Sequence, residues 1–250
     1  MRRNELVRYL DEYLSIGHFS SFDPSLNSLV VGGPDKEVSK IAFAVDACQR
    51  TFELALEWGA DMLIVHHGLY WGKPLAITGT HYHRIKTLLD GKLDLYAAHL
   101  PLDAHPTVGN NAVMAKKLGL LDVKPFALFK GIEIGFQGKL PSPLTAQEIS
   151  ALLGFTKPVI LPFGPDAITS VGIVSGGASD DVHTALSEGL DCFITGECEH
   201  QVYNDCLEEG ITMIGGGHYE SEVFGVQALA DHLAKLFALQ ILFLDHPTGL

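Results

Sequence analysis

The chain has 250 residues, 47% of them apolar, which suits one large domain or two interlocked smaller ones and rules out a disordered chain. Its formal charge is −13, and the 17 basic residues form no run, so the balance opposes a nucleic-acid footprint, which needs clustered cations. No stretch approaches the roughly 18 consecutive apolar residues of a membrane span, and charges fill the start "MRRNELVRYLDEYL" where a signal peptide needs apolar residues, so the expected location is the cytoplasm.

Along the chain, short β-branched or apolar runs alternate with helix-length amphipathic stretches, the pattern of an α/β fold with mostly parallel sheets. After a first helix at about 2–15, "SLVV" and "KIAFAVD" read as strands and "QRTFELALEWGA" as a helix closed by Gly59. "DMLIVHH" is the next strand, "HYHRIKTLLDG" a helix with a glycine stop, "KLDLYAAH" a strand and "GNNAVMAKKLGL" a helix. From Phe126 the text changes to "FALFKGIEIGFQGKL", a strand-turn-strand pattern, and then to "SPLTAQEISALLG", a helix whose Thr145 and Glu148 have capping-box spacing. "SVGIVSGGAS", "LDCFITGE", "ITMIGGG" and "QILFLD" supply further strands, with helices between them. The change of pattern predicts two α/β lobes packed closely together. One is expected to comprise residues 1–120 with about 215–250; the other covers about 121–214.

Ligands in parallel sheets gather at the carboxyl ends of strands. Three strand ends here carry histidine with a partner close by. "DMLIVHH" ends in His66 and His67; "YAAHLPLD" carries His99 and, four residues on, Asp103; "ITMIGGGHYESE" leads to His218 and, again four on, Glu222. That last spacing puts His218 and Glu222 on one face of a helix's first turn. Neighbours on a regular strand point to opposite faces, so His66 and His67 serve one site only where the strand breaks, a break assigned to Gly68. Four imidazoles and two carboxylates exceed one tetrahedral zinc site and fit two divalent ions. Mixed nitrogen and oxygen donors suit zinc, iron or manganese.

Each residue also has a plainer reading. His99 alone reads as a capping or hydrogen-bonded residue, Asp103 as a turn former, and Glu222 as an acid complementing its helix dipole. Three strand ends bearing the same combination favour the metal. "IVSGGASDD" reads as a tight strand-to-helix turn ahead of a phosphate cradle, since it lacks the P-loop lysine. Glu197, closing "FITGE", reads equally as a pocket acid or a helix cap; Asp46 reads first as an N-cap and second as a pocket residue. The four cysteines show neither a disulfide framework nor zinc-knuckle spacing and read as reduced thiols that mostly pack.

The segments "NSLVVGG", "IVHHGLYW", "YAAHLPLDAHPTVGNN", "DCFITGE", "GGGHYESE" and "DHPTGL" cover nearly the whole chain in order. With them it resembles the NIF-three-like (YbgI-type) family, whose members are commonly labelled GTP cyclohydrolase I type 2 homologues. The resemblance implies two interlocked α/β lobes, with the metal expected in the lobe of residues 1–120 and about 215–250, a two-metal site and a hexameric ring built from dimers. Carried over by motif, the ligands are His66, His67, Asp103, His218 and Glu222, with His99 also at the site. "NSLVV" departs from the Asn-Gly pair of many members, a difference confined to a turn. The expected function is a metal-dependent hydrolase of a nucleotide-like or other small substrate, with Glu197 or a metal-bound carboxylate as acid-base partner. The alternative is a metal-binding ring that acts as a scaffold or regulatory partner without catalysis.

Overall fold

A computed structural model describes all 250 residues and shows an α/β fold with two sheets. The chain divides into two compact units. The first comprises Met1–Leu102 and Val226–His246, the second Asp103–Gly225 and Pro247–Leu250.

In the first unit, helices α1 (Arg3–Tyr13) and α2 (Ile16–Phe19) precede the strands β1 (Ser28–Val31), β2 (Lys40–Asp46), β3 (Met62–His67), β4 (Asp94–Ala97) and β11 (Gln240–Phe243). The sheet order is β1-β4-β3-β2-β11, with β11, β2, β3 and β4 parallel and β1 antiparallel at the edge. The unbroken apolar runs of β2 and β3 are buried almost from end to end, as expected for strands covered on both faces. Helices α3 (Gln49–Trp58) and α4 (Gly79–Asp90) provide cover, and Phe52, Ala55, Ile85 and Leu88 join Ala42, Leu63, Val65 and Leu95 in one core. Gly59 ends α3 in the left-handed conformation, as its sequence predicts. Gly91 after α4 does not; it is small because a Cβ there would lie 2.5 Å from Leu56.

In the second unit, β5 (Leu121–Phe129) and β6 (Ile132–Leu144) form a hairpin through Lys130 and Gly131, both at positive φ, the two-residue turn that matches strand twist. Helices α5 (Leu100–Asp103), where the chain passes from the first unit to the second, and α6 (Asn110–Lys117) precede the hairpin; α7 (Ala146–Leu153) follows it with the full Thr145–Glu148 capping box. Strands β7 (Val159–Pro162), β8 (Ile168–Ile173), β9 (Cys192–Thr195) and β10 (Thr212–Gly215) complete a sheet of order β5-β6-β8-β9-β10-β7. Its central three strands are parallel, the others antiparallel. The proline-bracketed β7 escapes a sequence reading because Pro162 weakens the strand signal, which is tolerable only at an edge. Short helices α8 (Val182–Ser187) and α9 (Tyr203–Glu209) link the parallel strands, and α10 (His218–Leu236) follows β10.

The boundaries differ from the predicted 120 and 215, and packing explains why. Met114, Ala115 and Leu118 of α6 share a core with Leu140, Ile149 and Ile173, so α6 belongs with the second sheet; Phe224 of α10 lies in the same core. The predicted ligands therefore do not all fall in one lobe. His66, His67 and His99 belong to the first unit, and Asp103, His218 and Glu222 to the second.

The two units repeat one frame. Residues 39–67 and 169–197 correspond at constant spacing: Ile41 pairs with Met62 as Val171 pairs with Cys192, and Gly59 and Gly189 are both at positive φ. Asp61 Oδ2 accepts from Ser39 N (2.8 Å) and Lys40 N (3.0 Å); Asp191 Oδ2 accepts from Thr169 N (2.8 Å) and Ser170 N (3.0 Å). Each aspartate thereby ties the start of one parallel strand to the start of its neighbour. Each frame then adds a third parallel strand and an antiparallel edge, β4 with β1 and β10 with β7. In this correspondence His66-His67 matches Gly196-Glu197.

Candidate metal centre

In the first unit, His66 and His67 close β3, and His99 lies two residues beyond β4. Their ring centroids are 4.6 Å (66 to 67), 5.2 Å (66 to 99) and 5.8 Å (67 to 99) apart, and their ligand nitrogens all lie within 4.8 Å of one another. Three imidazoles so placed can hold one metal ion. Gly68 does follow the strand end, but it has no positive φ. Its small size is needed because a Cβ would sit 2.9 Å from that of Ala97. The glycine permits close approach of β4, not a swing of the backbone.

Each of these rings is held through Nδ1. His66 Nδ1 donates to the carbonyl of Ala98 at 3.0 Å, His67 Nδ1 to Asp46 Oδ1 at 2.8 Å, and His99 Nδ1 to Asp23 Oδ1 at 3.0 Å. A carbonyl or carboxylate oxygen only accepts, so the proton sits on Nδ1 and the lone pair of the neutral ring on Nε2, the arrangement that metal-binding histidines show. Asp46 is thus no N-cap: Cys48 takes that place on α3, and Asp46, register partner of His67, orients the imidazole. Asp23 also accepts from Ser25 N, Asn27 Nδ2 and Leu100 N. Burial raises its carboxyl, but the bonds from His99, Asn27 and Ser25 outweigh burial and hold it below the ordinary value.

In the second unit, His218 opens α10 and Glu222 follows one turn later, with Nε2 and Oε2 3.4 Å apart. Glu222 is 3% exposed. Glu197, after β9, receives His218 Nδ1 on Oε1 at 2.5 Å, so the fourth imidazole is held as the other three are. Glu197 is therefore no helix cap; the short turn after it begins with Glu199. The "SGG" turn fits closely around the acid of α10. Gly176 has φ +70°, and a Cβ on it would collide with Glu222 Oε1. The turn is tight to make room for a carboxylate.

Asp103 is 6% exposed and sits in a polar network. Its Oδ1 accepts from Asn110 Nδ2 (2.8 Å) and Ser175 Oγ (2.9 Å). Asn110 Oδ1 in turn accepts from Gly225 N at 2.6 Å, which ties Asp103 to α10, and Asn111 Oδ1 accepts from Ser175 N at 2.7 Å. Sequence reasoning missed the supporting residues Asp23, Asn27, Asn110, Asn111 and Ser175. The one available signal was two adjacent asparagines, "NN", opening a helix that is otherwise apolar or basic.

The chain's residues 1–248 match the model of the Duf34/NIF3 (NGG1p interacting factor 3) family. It is 47% identical over 251 residues to a GTP cyclohydrolase 1 type 2 homolog of Deinococcus radiodurans, covering 99% of this chain and 94% of that one. A relative of the same description from Archaeoglobus fulgidus is 45% identical over the full length of both. Among solved structures, TTHA1606 from Thermus thermophilus superposes with a TM-score of 0.89 at 46% identity, and protein ybgI, described as of unknown function, with 0.91 at 35%; each covers all of both chains.

Proposed function

Since the chain belongs to the Duf34/NIF3 family, we propose that it is a two-metal hydrolase of a small, nucleotide-like substrate, with His66, His67, His99, Asp103, His218 and Glu222 as its ligands. The observation that carries this reading is the common state of the four histidines. Each donates Nδ1 to an obligate oxygen acceptor and so presents Nε2 as the ligand atom. Two buried carboxylates supply the oxygen donors that such a site needs beside its imidazoles.

When bound, two divalent ions would polarise the bond under attack and lower the pKa of water towards neutrality. The chain's own residues set the stage. Asp46, Asp23 and Glu197 fix ring orientation and make Nε2 more basic. Asn110 and Ser175 hold Asp103 in one rotamer. Glu197 is a carboxylate whose side chain is 40% exposed, so it is the residue we assign to taking a proton from the attacking water and passing it to the leaving group. The relatives' name, GTP cyclohydrolase 1 type 2 homolog, supports a purine nucleotide as the first substrate to try. We include a hexameric ring of dimers in this reading.

The test is turnover of GTP and a panel of nucleotides and phosphoesters by protein loaded with zinc, manganese or iron(II), beside His66→Ala. Hydrolysis lost in the variant supports the enzyme. If no substrate is turned over and chelation instead disperses the oligomer, the scaffold reading replaces it.

A further inference from the structure

Trp71 stands beside the histidines, and nothing above gives it a role. Its ring centroid lies 5.0 Å from that of His99, edge to face at 78°, and 5.8 Å from that of His67. The indole N–H donates to the carbonyl of Gly68 at 3.1 Å, and the backbone bridges to Ser25. The ring is therefore fixed in place with its only donor occupied. Yet 41% of the residue is open to solvent, and it begins an exposed segment, 71–80.

A tryptophan whose N–H is already bonded can offer a ligand only its π-face. Such a face prefers another planar ring, and base stacking on aromatic side chains is strong and tolerant of base identity. Because the indole is immobile before any ligand arrives, little side-chain freedom is lost on stacking. Charge offers the chain few alternatives for holding a nucleotide. The net balance is −13, and Lys73 is the one cation in 71–80.

We propose that Trp71 is the stacking platform for the heteroaromatic ring of the substrate and so selects nucleobase-bearing compounds over sugar phosphates. This deepens the hydrolase reading and rests on it for the identity of the site. The indole touches two of the three imidazoles, so a ring lying on it places the substituents of that ring within reach of His67 and His99. Trp71 is thus a specificity residue, with no part in proton transfer.

The experiment uses the full chain, metal-loaded. The sequence has two tryptophans, so Trp58→Phe leaves Trp71 as sole indole emitter. Guanosine and adenosine should quench its fluorescence saturably, whereas ribose 5-phosphate and inorganic phosphate should not. Trp71→Leu should weaken nucleoside binding, followed by calorimetry, on the order of ten- to a hundred-fold. Trp71→Phe should restore most of it, and ribose 5-phosphate should bind all three proteins alike. Absence of quenching, or equal nucleoside affinity in Trp71→Leu, overturns the proposal. So does a change of oligomeric mass in Trp71→Leu by light scattering without loss of nucleoside affinity, which would make 71–80 a contact between copies of the chain. Stacking without turnover would remove the hydrolase and leave Trp71; turnover indifferent to Trp71 would do the reverse.

Discussion

Asp46 and His67 end two neighbouring parallel strands as register partners, and Asp46 Oδ1 accepts a hydrogen bond from His67 Nδ1 at 2.8 Å. The strand pairing that builds the sheet also aims the imidazole. Asp46→Ala should weaken the binding of zinc by about 10- to 100-fold while leaving thermal stability of the metal-free protein nearly unchanged, since the carboxylate is partly exposed. Competition with a chromogenic chelator measures the first and differential scanning fluorimetry the second. Unaltered affinity would mean that His67 needs no orienting partner.

Metal content should reach two ions per chain by elemental analysis after reconstitution, and His66→Ala should lower it. Because ions that bind only the folded state stabilise it by mass action, free metal at about a hundred times Kd should add roughly 2.7 kcal/mol for each site. Chelation should reverse the gain in Tm. A Tm indifferent to metal at saturating concentration would contradict a built site.

Gly176 should tolerate no side chain. Its φ of +70° alone costs an alanine about 1–2 kcal/mol, and the added Cβ collides with Glu222 Oε1. Gly176→Ala should therefore lower Tm by several degrees and weaken metal binding together. Gly177→Ala is the control, since its Cβ would come no closer than 3.6 Å to His218. Equal behaviour of the two variants in the metal titration would contradict the fit between turn and carboxylate.

Asp191 should make folding pH-dependent at the acid end. Burial raises its carboxyl, but hydrogen bonds from the Thr169 hydroxyl and the amides of Thr169 and Ser170 outweigh burial and lower it. A folded-state value below the unfolded one, about 3.9, contributes stability above that pH, and the contribution disappears as pH falls through the folded value. Asp191→Ala should cost about 1–2 kcal/mol in urea melts at pH 7, with the gap from the parent narrowing below about pH 4. A gap that persists unchanged at about pH 3 would show that ionisation is not what the aspartate contributes. Asp61, held low by the matching bonds from Ser39 and Lys40, should behave the same way in the other unit.

Much of this was legible in the sequence because periodicity and strand-end chemistry are local signals. "DMLIVHH" states both the strand and its two imidazoles, and the Thr145–Glu148 spacing states the helix start. What escaped depends on which segments become neighbours. Asp23 looks like an ordinary turn former, and Asp46 first like a cap and only second like a pocket residue, until β2 and the loop before β1 lie beside His67 and His99. The division at 102/103 and 225/226 has no sign in the sequence, because α6 carries no mark saying which sheet its Met114 and Leu118 will cover. Gly68 and Gly176 look alike in the text, yet one is required by a neighbouring Cβ and the other by its own backbone angle.

The matched stretches 39–67 and 169–197 share one backbone frame, with the same staple aspartates and glycine stops, and they differ at the tips. Where the first ends in a pair of imidazoles, the second ends in a glycine and a carboxylate that accepts from the imidazole of His218. One backbone frame thus serves two purposes, presenting imidazoles in one unit and steadying an imidazole in the other.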